Sequence, residues 1–244
     1  MTKLVKFFYE IGESKGVVKC DSVEGARAAI KAIEHHRRLL EKYILRRPEF
    51  KYALEPIDVE DGAPTVVQRM VEVSKIAGVG PMAAVAGVLA DLALETALSV
   101  GSKIVMVENG GEVAMTGDYT FKVKINAGSS LISGKIGLKV APSDMPIGIA
   151  TSSGTYGHAL SFGIADAVTV VADNAGLADA AATAVCNMVQ GEDLRKALER
   201  GLEKAKEIGK VRGVIIVLRD LIGLWGKVPQ IIVLRDQEHH HLIA

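Results

Sequence analysis

Asp179 and Thr183 stand four residues apart in the run Ala178-Asp179-Ala180-Ala181-Ala182-Thr183-Ala184. On a helix that spacing projects a carboxylate and a hydroxyl from one face, one turn apart. The neighbours are almost all alanine, so nothing bulky screens the pair from a ligand. Both groups are hard oxygen donors, suited to Mg2+ rather than to a soft metal. A plainer role fits the same spacing: Asp179 as a first-turn acid favoured by the helix dipole, and Thr183 bonded back to its own helix.

Three further segments carry chemistry-bearing residues. Ala150-Thr151-Ser152-Ser153-Gly154-Thr155-Tyr156-Gly157-His158 places hydroxyls and glycines at a strand end, where backbone N–H and O–H donors suit a phosphate or another anion. Histidine's ordinary pKa lies near neutrality, so His158 could orient a phosphate or shuttle a proton; a polar turn with an exposed histidine is the alternative. In Asn109-Gly110-Gly111-Glu112 the missing Cβ atoms either let a ligand approach the backbone or simply serve a tight turn. Gly78-Val79-Gly80-Pro81-Met82-Ala83-Ala84 reads as a helix start with free N–H groups, but it matches neither a Walker loop nor a dinucleotide fingerprint. Asp91 and Glu95 read as a solvated or hydrogen-bonded stripe.

The elements that must position these residues follow from periodicity and turn signals. Leu4–Ile11 and Val17–Cys20 form a hairpin, and Asp21-Ser22-Val23-Glu24 is a capping box for an amphipathic helix reaching about Leu45. Thr65 with Gln68 signals a second helix, closing near Gly78. The next helix, from Pro81 to about Val100, is apolar on nearly every face and belongs in the middle of a domain. Strands are expected at Lys103–Glu108, Phe121–Ile125, Ile136–Val140, Ile147–Ala150 and Val168–Ala172, the last fully buried. Helices follow over Gly176–Val189 and Leu194–Ile208. Ile215-Ile216-Val217-Leu218-Arg219-Asp220 recurs letter for letter as Ile231-Ile232-Val233-Leu234-Arg235-Asp236, and reads as two strands of one hairpin.

Composition bounds the rest. The 244 residues fit one α/β (α+β) domain spanning 1–244, and aromatics are only 5%. Lys plus Arg equals Asp plus Glu, 29 each, which points to neither nucleic acid nor an anionic membrane. Met82–Ala90 is apolar, but Asp91 and Glu95 interrupt it short of the roughly 20 residues a membrane span needs. Cys20 and Cys186 show no metal-ligand spacing and read as reduced thiols; with no secretory layout at the start, the expected location is cytoplasmic.

In order, Gly78–Asp91, Asn109-Gly110-Gly111-Glu112, Thr151-Ser152-Ser153-Gly154, His158 and the Ala-Asp-Ala-Ala-Ala-Thr-Ala run resemble the ApbE-type FAD:protein FMN transferases over about residues 65–190. The whole chain, with Ser161-Phe162-Gly163-Ile164-Ala165-Asp166-Ala167, resembles an uncharacterised, largely prokaryotic branch of that superfamily. The resemblance implies a single ApbE-like domain with mixed or antiparallel sheets and central apolar helices. It implies FAD or FMN as cofactor, with Mg2+ held by Asp179 and Thr183 and by a carbonyl from Gly80–Ala84. Thr151, Ser152, Ser153, Gly154, Asn109, Gly110 and Gly111 would then surround the flavin nucleotide, and His158 would be catalytic. Two departures stand out: the transferases carry a Lys where this chain has Gly80–Ala84, and His158 leads into Ala159-Leu160-Ser161 rather than an Ile-Asp-Pro-type sequence. A non-catalytic pocket for a flavin or another anionic metabolite, or a structural homodimer built through the apolar hairpin strands, uses the same scaffold.

Overall fold

A computed structural model describes residues 3–127, 133–154 and 162–234. Its strands are β1 (Val5–Ile11), β2 (Ser14–Cys20), β3 (Val105–Asn109), β4 (Glu112–Thr116), β5 (Phe121–Lys124), β6 (Ile136–Val140), β7 (Ile147–Ser152), β8 (Ala167–Ala172), β9 (Val211–Leu218), β10 (Leu221–Gly226) and β11 (Gln230–Val233). The helices are α1 (Val23–Arg46), α2 (Glu49–Tyr52), α3 (Thr65–Ala77), α4 (Val85–Ser99), α5 (Ala175–Met188) and α6 (Leu194–Glu207). The fold is α+β. One sheet has eight strands in the order β1-β2-β3-β4-β7-β8-β9-β10, the other three in the order β11-β6-β5, and every described pairing is antiparallel.

The large sheet divides two cores, and strand alternation assigns each side chain to one of them. On one face Ile147, Ile149, Val113, Met115 and Val171 pack against Phe121, Val123 and Leu138 of the small sheet. On the other face Ala150, Val168 and Val170 pack under Leu177, Ala178 and Ala181 of α5, while Ala114, Val105 and Val107 pack against α1 and α4. The scarcity of aromatic rings and wealth of alanine thus becomes a helix layer lying close on a sheet. Pro81–Ser99 is long and apolar enough to cross a membrane by composition alone, yet α4 lies between α1 and α5 and spends its acid residues on protein partners. Asp91 accepts backbone N–H bonds from α5, and Glu95 pairs with Arg69 of α3.

Several local expectations change. Ser22, not Asp21, caps α1, accepting from Gly25 N at 2.9 Å. Thr65 is already inside α3, behind Pro64, and Gln68 reaches back to the Ala63 carbonyl. The helix opening at Pro81 begins as a 3-10 turn, Pro81–Ala84, before α4 proper.

The identical hexapeptides do not form one hairpin. The first copy is buried in β9, between β8 and β10, with its Arg219 and Asp220 at the turn into β10. The second copy runs through the edge strand β11, which pairs with β6 in the other sheet; its Arg235 and Asp236 lie outside the described residues. Of Gly223–Pro229, read as the link between the two copies, Gly223–Gly226 belongs to the strand β10 (Leu221–Gly226) that pairs with β9.

Candidate functional site

The site grows from a crossing of two helices. Gly87 on α4 and Gly176 on α5 bring the backbones so close that a Cβ on Gly87 would lie 2.2 Å from the Ala175 carbonyl oxygen. Around this contact the helices cap each other. Asp91, on α4, accepts from Ala175 N at 2.9 Å and Gly176 N at 2.8 Å, satisfying the first free donors of α5. Asp179, on α5, accepts from Gly87 N at 2.9 Å, with Ala86 N as a second donor. The N–H groups at the start of α4, which the sequence offers to an anion, are therefore occupied by a carboxylate of the protein itself. Thr183 is buried one turn beyond Asp179.

Asn109-Gly110-Gly111-Glu112 is the tight turn joining β3 to β4. Gly110 has φ 71° and Gly111 φ 113°, a left-handed pair that favours glycine in a two-residue hairpin. Its N–H groups are consumed within the protein: Gly110 N donates to Lys15 O and Gly111 N to Glu108 Oε1. Asn109 is buried; its Nδ2 donates to the Ala86 carbonyl at 2.9 Å, and its Oδ1 accepts from Tyr9 Oη at 3.1 Å. The hairpin is thereby tied to the start of α4, beside Asp179. Alternation sends Glu112 to the helix side, with Ala114, and Glu108 to the small-sheet side, with Met106.

The hydroxyl-rich segment is split by the pleat of β7. Thr151 faces the small-sheet side and its hydroxyl bonds Thr169 Oγ1 at 2.9 Å. Ser152 faces the helices, buried, and its Oγ has no hydrogen-bond partner among the described residues. Ser153 and Gly154 are half-buried. Gly154 also has a packing reason, since a Cβ there would lie 1.9 Å from the Gly163 carbonyl oxygen. Thr155 to Ser161, including His158, lie outside the described residues. The structure thus brings Asp179, Asn109 and Gly110 to the start of α4, leaves Thr183 buried one turn further along α5 and Gly111 in the hairpin turn, places Ser152 on the helix side of the sheet, and turns Thr151 away.

Electrostatics single out this corner. Burial pushes the Asp179 carboxyl up to about 7, against the Gly87 and Ala86 N–H bonds that hold it down, and the Asp91 charge adds to the rise. Burial, then the Asp179 and Glu108 charges, hold Glu112 well above the usual carboxylate range. Burial lifts Glu108 to about 7 and Asp91 to about 6, each against its backbone N–H bonds. The charged groups acting on Asp179 and Glu112 are other carboxylates. No three His, Cys, Asp or Glu side chains among the described residues gather as a ready-made metal site. The donor set, two carboxylates with hydroxyls nearby and no cation, nevertheless suits a hard divalent ion that completes its shell with phosphate oxygens and water. Of these residues, Glu108 and Glu112 were given no role by sequence reasoning, although Glu112 ends the Asn109-Gly110-Gly111-Glu112 segment it named. The signal for Glu112 was parity: it stands two residues before Ala114, on the same face of the strand.

The family model described as "AbpE bacteria" matches residues 3–221. The chain belongs to this family. Among AbpE-family relatives, the UPF0280 protein of Methanocaldococcus jannaschii is 39% identical over 224 residues, 91% of each chain. That of Methanosarcina acetivorans is 40% identical over 240 residues, 98% of this chain and 93% of the relative. Among solved structures, the ApbE protein of Thermotoga maritima superposes with a TM-score of 0.59 at 15% identity, covering 98% of this chain and 99% of that one. A variant of the flavin transferase ApbE from Vibrio cholerae gives 0.56 at 16%, covering 91% and 97%. At such identity the likeness carries the fold alone, and the AbpE-family chain shares the ApbE fold.

Proposed function

We infer that this AbpE-family protein handles a flavin nucleotide, FAD or FMN, through a divalent cation held by Asp179 and Thr183. One observation carries the reading: Asp179 is anchored by the start of α4, a turn before the buried Thr183 on the same helix, close to a second buried carboxylate, Glu112, and among the described residues no lysine or arginine charge acts on either carboxylate. Such a corner repels a bare phosphate and attracts one that arrives with Mg2+. A divalent ion held by Asp179 and Thr183 would supply charge neutralisation for a diphosphate group. The protein's own contribution is placement. Asn109 ties the hairpin to α4, Gly110 and Gly111 keep side chains out of the ligand's way, and Ser152 holds an unspent hydroxyl donor. The likeness in fold to ApbE flavin transferases supports flavin transfer as the reaction.

A second reading, flavin binding without transfer, is favoured by the segment Gly80-Pro81-Met82-Ala83-Ala84, which brings no cation to the start of α4. Thermal shift with FAD, FMN and ADP, each with and without Mg2+, on wild type and Asp179→Ala tests the shared part. A shift that needs Mg2+ and vanishes in the variant is expected; no shift, or the same shift in the variant, overturns it. Release of AMP from FAD with Mg2+, followed by chromatography, then separates transfer from binding.

A further inference from the structure

We propose that Glu112 is a further ligand of the cation, so that the site takes a divalent ion before any nucleotide arrives. The inference rests on the cation reading above and deepens it. It starts from strand register. β4 and β7 pair Val113 with Ile149 and Ala114 with Gly148, so continuing by one residue sets Glu112 opposite Ala150. Ser152, two residues past Ala150 on the same face, is then the diagonal neighbour of Glu112, about 7–8 Å away at ordinary sheet spacing. Both side chains point up into the helix layer.

Above them runs α5, and two close contacts fix how it lies on β7. A Cβ on Gly148 would lie 2.0 Å from the Asn174 carbonyl carbon, at the start of α5. Gly154 meets Gly163, and Gly163 in turn meets the Cys186 carbonyl near the other end. Strand and helix therefore run alongside each other in the same direction. Ser152 stands four residues beyond Gly148, roughly 13 Å of strand, which α5 covers in about nine residues. That places it beneath the turn carrying Thr183. From below come a carboxylate and an unpartnered hydroxyl; from above come Asp179 and Thr183.

Two independent observations say the space between them is meant for a cation. Glu112 is 8% exposed and lies close enough to Asp179 to feel its charge, with only carboxylates acting on it. The Ser152 hydroxyl is equally buried and has no hydrogen-bond partner among the described residues. A single carboxylate and a hydroxyl hold Mg2+ weakly and leave most of its shell to phosphates. Two carboxylates balance its charge. An ion so balanced binds without help from an anionic ligand, and then presents open positions to the diphosphate.

The test titrates the full chain, free of nucleotide, with Mn2+, reading free Mn2+ by electron paramagnetic resonance and competing with Mg2+. Wild type is expected to bind one Mn2+ that Mg2+ displaces. Glu112→Gln should weaken binding at least tenfold, while Glu108→Gln, on the opposite face of the same strands, should change it less than threefold. The cation-free melting temperature of Glu112→Gln should stay at wild-type level or rise, because a buried like-charge contact is removed, while its Mn2+-induced shift disappears. Binding that requires FAD, or unchanged affinity in Glu112→Gln, overturns the proposal. So does lost binding with a lowered cation-free melting temperature, which would make the carboxylate structural. If Asp179→Asn abolishes binding and Glu112→Gln does not, this inference fails and the cation reading stands; if neither variant matters, both fail.

Discussion

Replacing Gly87 by alanine tests the helix crossing on which Asp179 depends. In an ordinary helix interior the change stabilises by about 1 kcal/mol, because alanine loses less backbone freedom on folding. Here the new Cβ would sit 2.2 Å from Ala175 O, 2.5 Å from Ala175 C and 2.8 Å from Gly176 N. All three are backbone atoms, and no rotamer relieves the clash. Ala175 and Gly176 are also the residues whose N–H groups Asp91 holds, so moving α5 away stretches those bonds as well as Asp179 to Gly87 N. Overpacking of this kind costs about 1–3 kcal/mol, and weakening a hydrogen bond to a charged group about 1.5–3 kcal/mol more. Set against the propensity gain, the net is a loss of about 1.5–5 kcal/mol. At roughly 2–4 °C per kcal/mol for a chain of this size, the melting temperature should fall by several degrees or more. Urea unfolding gives the free energy directly, and Mn2+ titration of the same variant should show weakened binding because Asp179 loses its anchor. A variant as stable as wild type, or more so, would refute the crossing and with it the anchoring of Asp179.

Other perturbations test neighbouring parts of the structure. Ser152→Ala should raise cation-free stability by about 1 kcal/mol, since a buried hydroxyl without a partner is removed, while lowering nucleotide affinity; thermal melts with and without FAD and Mg2+ measure both. Tyr9→Phe removes the donor to Glu108 O at 3.0 Å and Asn109 Oδ1 at 3.1 Å, and should lower stability by about 1 kcal/mol in urea unfolding. Glu108 keeps its proton in the folded chain up to about 7, against an ordinary 4.5. The folded state therefore binds more protons across that window, and stability falls as pH rises through it. Glu108→Gln should remove this fall, so that its stability relative to wild type improves from pH 5 to about pH 7 and levels off above it, in melts at constant ionic strength. His36, whose burial holds its imidazole below the ordinary value, is present in both proteins and cancels.

Local sequence determined the pieces of this protein. Hydrophobic period and punctuation were enough to find α4, α5, α6 and the buried strand β8, and the four-residue spacing put Asp179 and Thr183 on one helical face, because these depend on neighbours along the chain. Even the parting of Thr151 from Ser152 was legible once the strand is carried through to Ser152, since alternation is a local rule. What only the tertiary structure decided depends on residues far apart in sequence. The reciprocal caps of Asp91 and Asp179 need a crossing at two glycines, Gly87 and Gly176, whose partners are about as distant as α4 is from α5. Glu112 reaches Asp179 through a register between β4 and β7 that neither strand specifies alone. The repeated Ile-Ile-Val-Leu segment shows the limit most directly: the same letters form a central strand in one sheet and an edge strand in another, because burial and pairing partners, not propensity, chose their places.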